Sequence, residues 1–139
     1  MNVDPLLRPF ESLLNRNISA STPARQALAG LVGRAFAIEV ATPLEDRPLR
    51  VRIAAEELGV RVTSGDAPAD ATVAGTPLSL AQLLGGRSEG RLAGGSVQIV
   101  GDAEVAAGFE KLLRHARPDL EEELARVVGD VTAHQVARA

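Results

Sequence analysis

The chain has 139 residues, no cysteine and a formal net charge of −3, and 45% of it is hydrophobic although only 2% is aromatic. That length makes one domain, residues 1–139, whose core needs no metal or disulfide staple, and the missing cysteines exclude disulfides, thiolate metal sites and thiol catalysis while fitting a reducing cytosol. A dispersed acidic balance without Tyr or Trp argues against a nucleic-acid surface; the N-terminus lacks a basic n-region and an unbroken apolar h-region, and no stretch approaches the roughly 20 apolar residues that span a bilayer, so a soluble cytoplasmic protein is expected.

In chain order, Asp4-Pro5 is a helix-start signature, an acceptor at the N-cap followed by a residue whose missing N–H costs nothing. Leu6, Leu7, Phe10, Leu13 and Leu14 then form an apolar stripe, either packed on the domain or offered to a membrane or partner. Asn15 to Ser19 reads as a break. Thr22-Pro23 repeats the start signal, and Leu28, Leu31 and Val32 give a second helix ending about Gly33.

From here the period changes to two. Phe36, Ile38 and Val40 alternate with Ala37 and Glu39, and Leu49, Val51 and Ile53 alternate with Arg50 and Arg52 across a polar turn. Leu58-Gly59 marks another turn, Val60 and Val62 a third strand, and Ala71 to Gly75 a short fourth one; a meander is the simplest topology. Arg50, Arg52 and Arg61 are expected together on the outer face. A phosphate-binding patch is the sharper reading of them, and a mixed solvated face with Glu39, Glu56 and Glu57 the usual one.

Thr76-Pro77 starts a third helix, and Leu78, Leu80, Leu83 and Leu84 occupy more of its circumference than a one-sided stripe needs, as in a helix that touches two layers or borders a pocket. Gly85-Gly86 stops it. The following GRSEGRLAGG lacks the spacing and Lys of a Walker loop and precedes its strand instead of following one, so it is not a nucleotide site.

Gly94 to Ala116 holds the most informative stretch. Val97 and Ile99 alternate with Gln98 and Val100 as a strand, Gly101 turns the chain, Asp102 caps the next helix, and Val105, Phe109, Leu112, Leu113 and Ala116 fall on one stripe. Arg117-Pro118-Asp119 then restarts the chain into a helix whose Leu120, Leu124, Val127, Val128 and Val131 form a stripe and whose middle Gly129 weakens. Glu121, Glu122 and Glu123 suit the positive end of the helix dipole and read as a cap and solvated face, not as a metal site.

Nothing in the chain asks for catalysis. His115 and His134 sit on different helices without metal-ligand spacing, and no G-x-S-x-G elbow is present. No cofactor or metal is expected. A core of Ala, Val and Leu favours solid packing by composition alone, while the same small side chains on facing elements also leave room for an apolar cavity.

Three segments carry a resemblance: ESLLN at Glu11 to Asn15, GSVQIVGDAEVAAGF from Gly95 to Phe109, and LARVVGDVTAHQV from Leu124 to Val136 with its Gly-Asp-Val. With the element order, they resemble the sterol carrier protein type-two family, and within it the accessory factors of bacterial ubiquinone biosynthesis. The resemblance implies an α+β fold, a mainly antiparallel curved sheet of about five strands covered by helices around an apolar cavity. It leads one to expect a long charged helical tail, which this sequence lacks. It further implies a non-catalytic role, with polyprenylated ubiquinone intermediates or other lipids as ligands and the ubiquinone enzymes as protein partners; peripheral membrane contact and self-association stay open. The residues expected to line the cavity are Phe36, Ile38, Val51, Ile53, Leu80, Leu83, Leu84, Ile99, Phe109 and Leu113, unless the opposing strand face does so. A lipid-free interaction scaffold and a general lipid carrier are the alternatives.

Overall fold

The structure is a computed structural model that describes residues 4–41, 48–84 and 97–138, with side chains throughout these except at 81–84, 121, 132 and 134–138. In chain order the elements are α1 (Asp4–Ser19), α2 (Thr22–Ala29), β1 (Ala35–Val40), β2 (Leu49–Ala55), β3 (Val60–Ser64), β4 (Ala71–Gly75), α3 (Pro77–Leu84), β5 (Val97–Gly101), α4 (Ala103–His115) and α5 (Leu120–Arg138). The expected α+β class is what the chain adopts.

The five strands form one open sheet in the order β3-β2-β1-β4-β5. β1, β2 and β3 are the expected antiparallel meander, but β4 leaves it and pairs with β1 in parallel, Phe36 opposite Ala71 and Val40 opposite Gly75. β4 has no room on the far side of β3, because α1 occupies that edge. The amide of Val60 donates to Asn15 Oδ1 at 2.7 Å, that of Val62 to Glu11 Oε2 at 2.8 Å and that of Ser64 to Asp4 Oδ1 at 2.8 Å. In the other direction Asn15 Nδ2 donates to the Val60 carbonyl at 3.0 Å and Arg8 Nη2 to that of Val62. Four polar residues at helical spacing thus cover an edge that a strand would otherwise pair with.

The connection from β3 to β4 therefore crosses the outer face of β2 and β1. Arg50 donates to the carbonyls of Gly65 and Ala67 at 2.9 and 2.6 Å, and Arg52 to that of Pro68 at 2.8 Å, while Arg61 pairs with Glu56 at 2.9 Å. Ala37 lies on this outer face and is fully buried. The three arginines are where the alternation puts them, and they act as ties for the crossover and the hairpin.

Helix boundaries shift where tertiary contacts decide. α1 runs through the expected break to Ser19, because Ile18 is buried and Asn17 Nδ2 donates to the carbonyls of Ala116 and Pro118 at 2.9 and 2.7 Å. Ser21, one residue before Thr22, caps α2 through the amide of Ala24. Thr76 caps α3 in a reciprocal box, its Oγ1 accepting from the Ser79 amide at 3.1 Å and its own amide donating to Ser79 Oγ at 3.0 Å. Gly85-Gly86 and GRSEGRLAGG lie outside the described residues.

Candidate functional site

The inner face of the sheet is built by alternation. One row across the strands runs Val51, Ile38, Val73, Ile99, and the next runs Val62, Ile53, Phe36, Ala71, Gly101. No charged side chain belongs to either row. Helix α4 lies against them: its N-cap Asp102 accepts from the amides of Glu104 and Val105 at 2.9 and 3.2 Å, and the Phe109 ring stacks on Phe36 with centroids 5.3 Å apart and planes 9° from parallel. Leu113 and Leu80 of α3 are buried in the same apolar cluster.

Seven of the ten residues expected to line a cavity, Phe36, Ile38, Val51, Ile53, Leu80, Phe109 and Leu113, therefore meet in one continuous apolar layer between sheet and helices. The side chains of Leu83 and Leu84 lie outside the described residues. Ile99 is the exception: on the same inner face and opposite Val73, it is 39% exposed while Val73 is 2%. The expectation of a uniformly inward strand holds for Val97 and lapses at Ile99, because β5 is the sheet's last strand and α4 turns away from it toward β1.

Such a layer offers dispersion and desolvation and no acid, base or nucleophile. Among the described residues no group of three or more His, Cys, Asp or Glu side chains is placed to hold a metal ion. Elsewhere, a groove of about 430 Å³ between α1 and α5 is lined by Pro9, Ser12, Leu13 and Arg16 on one side and Asp119, Glu122, Glu123 and Arg126 on the other. Its polar lining does not suit an apolar ligand. Glu123 departs from the expected solvated face: the residue is 8% exposed, Arg126 donates to its Oε1 at 2.7 Å, and its buried Oε2 has no hydrogen-bond partner among the described residues.

What sequence reasoning missed is the polar row Asp4, Arg8, Glu11, Asn15. Its spacing was available, as a stripe beside the apolar one, but nothing local shows that its partner is a strand edge 45 to 60 residues away.

No helix among the described residues is long and apolar enough to cross a membrane. A comparison with curated protein sequences returns no match. Among solved structures, the chain is similar to a UbiJ-SCP2 ubiquinone synthesis protein, with a TM-score of 0.65 and 25% identity over 84% of this chain and 95% of that one. The sterol carrier protein domain 2 of Helicoverpa armigera (TM-score 0.58, 19% identity, 81% of this chain and 88% of that one) shares the fold, as does a crystal structure of sterol carrier protein 2 (0.58, 19%, 78% and 94%). The family model described as the SCP-2 sterol transfer family matches residues 10–135, nearly the whole chain, and with the sheet order and apolar layer just given it follows that this chain belongs to the SCP-2 sterol transfer family.

Proposed function

We propose that this domain is a non-catalytic accessory factor of ubiquinone biosynthesis that takes up the polyprenyl tail of the pathway's lipid intermediates between its sheet and helices α3 and α4. It presents their head groups to cytoplasmic enzymes. The supporting observation is the uncharged inner row Val51, Ile38, Val73, Ile99, closed by helices along most of its length and open at one end. The likeness to a ubiquinone synthesis protein supports the choice of pathway.

The energetics suit a tail without specific polar contacts. Each buried CH₂ contributes about 0.8 kcal/mol, so a few isoprene units outweigh the ordering cost of a single chain. Phe36, Ile38, Val51, Ile53, Leu80, Phe109 and Leu113 line the site in this reading, with Ile99 at its edge. Head-group chemistry belongs to the partner enzymes.

The test is native mass spectrometry of protein purified gently from its own organism, followed by organic extraction. A polyprenyl phenol or quinone bound one per chain is the expected result. Empty protein that also takes up no added geranylgeraniol would overturn the proposal in favour of an interaction scaffold.

A further inference from the structure

We infer that the lipid tail enters and leaves across β5, over Ile99, through the angle between this edge strand and α4. The inference rests on the lipid-binding reading above and assigns its doorway. Three observations converge. β5 is the terminal strand on the side opposite the edge that α1 seals, so the two ends of the sheet are built differently. Helix α4 begins immediately after β5, at the Gly101-Asp102 turn, and has reached β1 by Phe109, which stacks on Phe36. The helix thus diverges from its own strand as it crosses β4, and among the described residues the inner face of β5 is partly exposed at Ile99, between Val97, which is 6% exposed, and the turn.

Exposure along the row makes the point quantitative: Val51, Ile38 and Val73 are each 2% exposed and Ile99 is 39%. A branched apolar side chain on the core-facing side of a strand belongs under cover, and here it marks where the apolar layer meets water. A tail sliding past Ile99 contacts Val73 next and then Ile38, staying on hydrocarbon from the rim inward. Val100 supplies a built-in control, being on the same strand with its side chain on the opposite face, and 68% exposed.

The experiment uses the natural absence of cysteine, so that Ile99→Cys and Val100→Cys each carry one thiol. Both variants are alkylated with N-ethylmaleimide with and without geranylgeraniol, and native mass spectrometry records occupancy. With lipid bound, alkylation of the Ile99→Cys variant is expected to slow about tenfold, as a thiol moved into apolar surroundings loses its thiolate form. Val100→Cys is expected to react at an unchanged rate. Bound lipid with no protection of Ile99→Cys, or with equal protection of both, would overturn the doorway while leaving the lipid-binding reading intact. No bound lipid in either variant or in the parent would remove both.

Discussion

The rings of Phe36 and Phe109 lie face to face, 5.3 Å between centroids, and they are two of only three phenylalanines in the chain. One stands near the start of β1, the middle strand of the sheet, and the other in the middle of α4, so the pair fixes where the helix crosses the sheet. Both are almost inaccessible, at 5% and 0%. Phe109→Ala is expected to cost about 3–5 kcal/mol of unfolding free energy, the range for deleting a buried aromatic ring, and Phe109→Leu clearly less. Urea denaturation reads both. If the layer holds lipid, added geranylgeraniol should restore part of the stability of Phe109→Ala, because the ligand fills the space the ring has left.

The seal along β3 makes a second prediction. Asn15→Ala removes both side-chain bonds to Val60 and leaves its part-buried amide without a partner, for about 1–3 kcal/mol. Gly59 is coupled to it, since a Cβ there would stand 2.5 Å from Asn15 Oδ1. Gly59→Ala should therefore displace the Asn15 side chain and destabilise the parent, yet cost less in the Asn15→Ala background. A double-mutant cycle measured by denaturation checks this; additive effects would mean that Gly59 does not act through Asn15.

Much of this architecture was legible and some was not, and the division has a physical basis. Alternation in β1, β2, β3 and β5 and the stripe on α4 each report one buried face, so element type and inward residues could be read locally. The parallel return of β4 could not, because it depends on which sheet edge is free, and that depends on Asp4, Glu11 and Asn15 reaching β3. Nor could the exposure of Ile99. Its alternation equals that of Val97, and only the path of α4 distinguishes them. Glu123 shows the same limit, since its charge reads as solvated until α5 settles against α1.

A third prediction concerns pH. The Ser64 hydroxyl and then its amide donate to the Asp4 carboxylate and, with a smaller contribution from Arg8 and against some burial, hold Asp4 below its ordinary value of 3.8. A carboxylate depressed in the folded state contributes stability that is fully present above the unfolded value and disappears as pH falls through the lower folded one. The stability difference between the parent and Asp4→Asn should therefore be constant from pH 7 to about 5 and shrink below the usual carboxylate range. Ser64→Ala, which removes the larger of the two bonds, should move that loss to higher pH. Denaturation midpoints across pH 2–7 measure it.

The two Gly-Asp pairs that carry the resemblance to the family make opposite predictions. Gly101 has φ of +105°, and a Cβ there would lie 2.6 Å from the Asp70 carbonyl oxygen, which also accepts from the Asp102 amide at 2.8 Å. Asp70 in turn accepts from the Ala35 amide through its carboxylate at 2.8 Å, so this one turn joins the ends of β1, β4 and β5 to the start of α4. Gly101→Ala must strain the backbone and push on backbone, and a loss of more than about 2 kcal/mol is expected. Gly129 lies inside α5 with nothing within 4 Å of a built Cβ. There the glycine only weakens the helix, and Gly129→Ala should raise stability by up to about 1 kcal/mol. Thermal denaturation of the two variants side by side decides the matter. Destabilisation by Gly129→Ala would mean that the added methyl group meets a neighbour within the fold, and a tolerated Gly101→Ala would mean that the turn is free to relax.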